Sequence, residues 1–347
     1  MRVALHQAIQ KLLLIGVTID SPPAPPPPQP PPRLRPLIEA LAPAHRTFDQ
    51  RALVFGHRYR SGFWAIYLLS AIAVLCAVMP LALGWDSPRH HLHPYAGAWA
   101  LCEVLIIAGV TAIYWRGQRR DWQGEWLRAR TTAELTWYLP MIAPLLDFFQ
   151  PGAQPNWYLR VLDPGQHLRG ADDVATLCAR NEPLARELLA PAWTDPQFVT
   201  GYAQWTIEVL QSQKHYHARV AARQHALLHR VHRITSGLFA LTAIGALCHL
   251  LVHTLWLSLI TTFFPALAAS LHGALAQSEA YRLAMTSQRL VNELQDAIAT
   301  IHSALGRHPE GARMQALKAA VEAAIALILE EHQDWHMLVR PHHLPLA

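Results

Sequence analysis

The chain has 347 residues, of which 52% are hydrophobic and only 15% charged, whereas an ordinary soluble domain carries about 25% charge. The charge deficit is concentrated in a few apolar stretches, which excludes a uniformly apolar core and points to membrane spans. The net charge of +5 comes from basic residues beside those stretches, so it reads as membrane orientation, and nucleic acid is not an expected partner.

Near the N-terminus a short apolar run, Leu12 to Val17, is flanked by Arg2 and Lys11 and reads as a short helix or a marginal strand. The tract Ser21 to Pro36 is dominated by proline and is expected to be an extended polyproline spacer, with recognition by a partner as the alternative. A polar, basic element follows from about Thr47 to Arg60 and runs into the first apolar stretch, Gly62 to Gly84. This stretch has the roughly 20 residues that a helix needs to cross a bilayer. Trp64, Tyr67 and Trp85 stand near its ends, where aromatic side chains favour the interface. After the polar turn Asp86 to Pro94 comes a second stretch, Ala96 to Trp115. It ends in Arg116, Arg119 and Arg120, while the turn holds only Arg89. The positive-inside rule therefore places the turn outside and both flanks in the cytoplasm.

The helix of the second stretch is expected to continue past Trp115, with Trp122, Trp126, Ala129, Ala133 and Trp137 on one face, until Pro140 and Pro144 end or kink it. A Pro- and Gly-rich loop, Gln150 to Gly170, and short helices between Ala171 and Ala190 follow. Asp195 before Pro196 is a good helix start, from which one long helix runs into the second apolar region, Ile234 to Leu271. That region splits near His249 to Thr254, again with basic residues on both outer sides, giving a second in-out-in hairpin or a re-entrant or kinked helix. The hexapeptides Ala71 to Cys76 and Ala243 to Cys248 resemble one another, which hints at a duplicated hairpin or reflects span composition alone. At the C-terminal end Leu283, Leu290, Leu294, Ile298, Ile301 and Leu305 mark one helix, stopped at Gly306. Met314 to Leu338 marks a second that pairs with it or with the long helix.

The expected fold is thus all-α, an integral membrane helical bundle with two transmembrane hairpins, four spans and long cytoplasmic helices. Its parts are a Pro-rich segment (1–46), the first hairpin with its flanks (47–150), a helical region (151–233), the second hairpin (234–272) and a C-terminal helical hairpin (273–347). Both termini fall in the cytoplasm and the chain in a bacterial inner membrane.

Few residues in the spans carry chemistry. Glu103 is the acidic residue well inside an apolar stretch, where a charge costs about 2.5–3.5 kcal/mol at mid-bilayer, so it is either a pore-lining or gating carboxylate or a structural one with a partner. His249 and His253 near the second hairpin tip, with His90, His91 and His93 in the first loop, would share a compartment, but their spacing matches no metal site. Arg130 and Glu134 are placed to pair four residues apart on a helix. The four cysteines form no C-x-x-C pair, and the phosphate-loop, dinucleotide, nucleophile-elbow and H-E-x-x-H patterns are absent. His332-Gln333-Asp334-Trp335-His336 has glutamine where a zinc helix needs glutamate. No enzyme activity, cofactor or metal is expected.

Two segments carry a family likeness. Phe48-Asp49-Gln50 through His57-Arg58-Tyr59-Arg60, and Trp126-Leu127-Arg128-Ala129-Arg130-Thr131-Thr132-Ala133-Glu134-Leu135, resemble the SLATT superfamily of bacterial two-helix membrane modules. A weaker echo is Ser212 to Arg219. The resemblance implies Trp126, Arg128, Arg130 and Glu134 as interface or signature residues. It also implies a homo-oligomeric, pore-forming effector in antiphage defence, triggered by a nucleotide second messenger or a partner defence protein. A scaffold that anchors a partner, and a small transporter, are the rival readings. The chain departs from the family's common pattern in its second hairpin and in lacking a fused sensor domain.

Overall fold

A computed structural model describes residues 4–19, 23–145, 171–189, 194–252, 254–307 and 310–338. Every regular element among them is helical. A short amphipathic helix α1 (Leu5–Leu13) precedes the proline tract. α2 (Arg35–Leu83) begins already at Arg35, with Pro36 in its first turn where a missing N–H costs nothing. It runs unbroken through the first apolar stretch and ends at Gly84, whose φ of 70° only glycine adopts without strain; the amide of Trp85 then donates to the Pro80 carbonyl at 2.8 Å, closing the helix end.

α3 (Ala96–Arg119) runs back along α2. The continuous helix expected beyond Trp115 is broken at Arg120 and Asp121. Asp121 takes a left-handed conformation (φ 41°), and its side chain accepts the Gly124 amide at 3.1 Å, starting the separate helix α4 (Trp122–Ile142). Capping by Asp121 satisfies an amide that an uninterrupted helix would have bonded to a backbone carbonyl, so the break needs neither proline nor glycine. α4 buries Trp122, Trp126, Ala129 and Ala133 as expected, whereas Trp137 is 47% exposed. The expected loop 150–170 lies outside the described residues. The short helices expected between Ala171 and Ala190 are one helix, α5 (Ala171–Leu189), which carries Pro183 internally.

Asp195 caps α6 (Pro196–Leu251) by accepting the amides of Gln197 and Phe198, with proline at the first helical position. After extended backbone at Val252 and again at Thr254 come α7 (Leu255–Gln277), a second left-handed acidic residue, Glu279 (φ 53°), α8 (Ala280–Leu305) and α9 (Glu310–Leu338). Leu290, Leu294, Ile298 and Ile301 of α8 are buried, chiefly against α6, and α9 packs on α8, so both expected pairings occur.

Two cores result. One joins the start of α2, the end of α4, α5, the first turns of α6, α8 and α9, around Leu34, Leu41, Met141, Ile142, Tyr202 and Leu210. The other joins α2, the start of α4, the middle of α6 and the end of α7, around Tyr59, Phe63, Trp64, Trp126, Leu227 and Leu271. Beyond the second core extend four helices long and apolar enough to cross a membrane, in α2, α3, α6 and the run from α7. They stand in an open row, in the order α3, α2, α7, α6. Small residues set the close approach in the row: Ala71, Ala268 and Ala274 are fully buried, and a Cβ on Gly273 would lie 2.4 Å from the Tyr67 ring.

Candidate functional site

Where the long helices leave the second core for their apolar ends, they enclose a polar seam. Trp126 projects from the second turn of α4 between α2 residues. Its indole stacks on Tyr59 with ring centres 5.7 Å apart and an interplanar angle of 23°. The Arg60 guanidinium lies 5.2 Å from the indole centre, and its Nε donates to the Gly56 carbonyl at 3.2 Å. Gly56 is required here by space: a Cβ would come within 2.8 Å of Trp126 Nε1. The Tyr59 hydroxyl accepts a hydrogen bond of 2.9 Å from Gln277 Nε2 at the end of α7. One aromatic ring therefore ties α2 to α4, and its neighbour ties α2 to α7.

One turn further along α4, Arg130 pairs with Glu134 and lies 3.9 Å from Asp49 of α2. Burial works against the Arg130 charge, but Glu134, Tyr216, Tyr138 and Asp49 outweigh it and hold the guanidinium protonated more firmly than usual. His217 of α6 faces the same pair. It is 7% exposed, and its Nδ1 lies 3.4 Å from Ser287 Oγ of α8. Burial, opposed by Glu134 and aided by Arg130, lowers its pKa to about 4, so at neutral pH it is uncharged.

α1 covers the seam. His6 is 4% exposed; its Nδ1 lies 3.2 Å from Ser61 Oγ and its ring centre 5.3 Å from that of His57. Burial first, then the charges of Arg60, His57 and Arg223, lower its pKa to about 3. From α6, Arg223 donates to Gln10 Oε1 at 2.9 Å and Arg230 to the Leu13 carbonyl at 3.1 Å, so two cations hold the α1 helix end in place.

The expected residues divide accordingly. Trp126, Arg130 and Glu134 meet in the seam. Arg128 points away, to a bidentate pair with Asp173 of α5 at 2.9 and 3.1 Å. Arg128 is exposed and Asp173 partly so, and Arg128→Ala is expected to lower stability by no more than about 1 kcal/mol, read as the unfolding midpoint in detergent. Glu103 lies in the second turn of α3, far from the seam along the chain and half-buried. It belongs to the stripe Glu103, Ile106, Val110, Ile113 and Gly117 that is less exposed than the rest of α3, the side turned to α2. His249 is exposed in the last turn of α6, and His253 lies outside the described residues. Among the described residues no group of three His, Cys, Asp or Glu is placed to hold a metal ion.

Sequence reasoning missed His6 and Ser287 as seam residues and left His217 inside a weak motif. The signal for His217 was its place in the segment Ser212 to Arg219; for His6 and Ser287 no local pattern exists. A groove of about 390 Å³ between α2, α4 and α6, lined by Leu41, His45, Trp137, Met141 and Trp205, adjoins the first core. Compared with protein-family models, curated proteins and solved structures, the chain matches none of them significantly.

Proposed function

We propose that the chain is a pore-forming or membrane-permeabilising effector of a bacterial antiphage system. In this reading it sits in the inner membrane as two in-out-in hairpins, with both termini and the two helical cores in the cytoplasm. It oligomerises there and is triggered by a nucleotide signal or a partner defence protein.

The observation that carries the reading is the open row of four apolar helices, two of which, α2 and α6, continue without interruption into the polar-flanked cores. Helices arranged so do not close a pore within one chain, and they connect whatever binds the cores to whatever lies in the bilayer. The seam supports the same reading. Trp126, Arg130 and Glu134, three of the four signature residues of the SLATT likeness, sit at the junction between the two parts. Glu103 adds the ionisable group inside a span that such sites characteristically contain.

The test is membrane potential in cells that express the chain with its neighbouring genes, before and after phage challenge. Depolarisation is expected only after the trigger, and Glu103→Ala is expected to change its extent or ion dependence. An intact potential under every trigger, with the protein shown to be in the membrane, would overturn the pore and favour the scaffold reading.

A further inference from the structure

The chain builds one unit twice. In the first, α2 is followed by the return helix α3, an acidic residue at positive φ (Asp121) and α4, which lies back on α2. In the second, α6 is followed by α7, an acidic residue at positive φ (Glu279) and α8, which lies back on α6. Asp121 and Glu279 are the non-glycine residues at positive φ among those described. The similar hexapeptides set the register of the outgoing helices: Tyr67 and Phe239 each stand four residues before the alanine that opens one. The two acidic breaks set the register of the return helices: Trp115 and Gly273 each stand six residues before one.

One contact of this repeat is made and its counterpart is missing. Within the chain the return helix of the second unit, α7, lies against the outgoing helix of the first, α2, with Tyr67 on Gly273. The counterpart would set the return helix of a first unit, α3, against the outgoing helix of a second, α6. In one chain these two lie at opposite ends of the row. Not one residue in the apolar window of α3 is buried, and in the apolar window of α6 only 11% are. Trp115 and Phe239, the residues equivalent to the made contact, are 57% and 53% exposed.

We propose that the missing contact is made between chains: the outer face of α3 docks on the apolar end of α6 of a second copy, with Trp115 beside Phe239. Direction argues for this pairing. α2 and α6 run one way and α3 and α7 the other, so every neighbour in the row is antiparallel, and α6 beside α3 of the next copy continues that alternation. A two-fold dimer about the membrane normal would instead set α3 on α3 or α6 on α6, parallel and like on like. The interface is therefore heterologous: each copy uses one edge to bind and offers the other, so copies add head to tail. The inference rests on the proposed membrane placement and is independent of permeabilisation.

The test is disulfide cross-linking in membranes of expressing cells, with Cys76, Cys102, Cys178 and Cys248 replaced and copper-phenanthroline as oxidant. Trp115→Cys with Phe239→Cys in one chain is expected to give a ladder of dimer, trimer and higher species. Each single variant alone is expected to stay monomeric, and the two singles co-expressed to stop at the dimer. Tyr67→Cys with Gly273→Cys, expected to close within one chain, reports that the row is formed. Dimers from either single variant, an internal bond between positions 115 and 239, or no ladder while the 67–273 bond closes would each overturn the proposal. A ladder with an intact membrane potential would keep this interface and remove the pore; depolarisation without a ladder would do the reverse.

Discussion

Trp126→Ala is expected to destabilise the fold by about 3–5 kcal/mol, the range for truncating a large buried aromatic side chain. The indole is 9% exposed and fills the space that Gly56 leaves open. Its loss leaves a cavity between α2 and α4, two helices that the ion pairs Arg51–Glu125 and Arg130–Asp49 also tie together. It also strips the Arg60 guanidinium of the ring face that offsets its burial, a burial already reflected in a lowered pKa. Thermal unfolding in detergent should show the loss, with Trp126→Phe recovering part of it because a smaller ring still stacks on Tyr59. A midpoint for Trp126→Ala within about 1 kcal/mol of the parent would mean that α4 is held to α2 by other contacts.

Acid is the second large effect. His217 binds its proton at about pH 4 in the folded chain, against 6.5 for an unperturbed imidazole. Between those values the unfolded chain carries a proton that the folded chain lacks, so stability is flat above pH 6.5 and falls as pH drops towards 4. The full loss is about 3 kcal/mol, at about 1.4 kcal/mol for each pH unit of the window. His6 has the same sign over a wider window, down to about pH 3, and its protonation favours release of α1 from the seam. Carboxylates also titrate in this range, so the informative quantity is the difference between chains. Unfolding midpoints at pH 7.5 and 4.5 should diverge less in His217→Asn than in the parent; equal divergence would show that His217 is not held neutral.

Much of this architecture is written locally. Asp195 before Pro196, Gly306 after a four-three-four apolar spacing, and the run from Thr47 to Gly84 each contain the physics of their element: a cap, a stop, and an apolar length whose one proline, Pro80, falls in the last turn. The break at Asp121 was not legible, because the tryptophans on either side keep a helical spacing through it and the residue that breaks the helix is an ordinary aspartate. Its left-handed backbone appears only once α4 turns to lay Trp122 and Trp126 on α2. The seam divides in the same way. Arg130 and Glu134 are four residues apart and announce their pairing, and Trp126 shares their helix. His217 meets Ser287 across 70 residues of chain, and His6 meets Ser61 across 55, distances over which periodicity carries no information.

The two left-handed breaks also decide where the molecule is able to bend. From Thr47 to Met79, α2 contains no proline and keeps its backbone ladder through both glycines, so it behaves as a stiff rod, and turning its lower end turns its upper end equally. The return helices have no such rigid link to α4 and α8, since each is joined to them through a short stretch of backbone at Arg120–Asp121 or Ser278–Glu279. At these two stretches the helical path of each unit changes direction. α3, at the edge of the row, packs chiefly on α2 and is the return helix with room to tilt, whereas α7 is wedged between α2 and α6 and held on both sides. Within the row the chain is thus three mutually braced posts, α2, α7 and α6, and one edge helix, α3, with open space on its outer side.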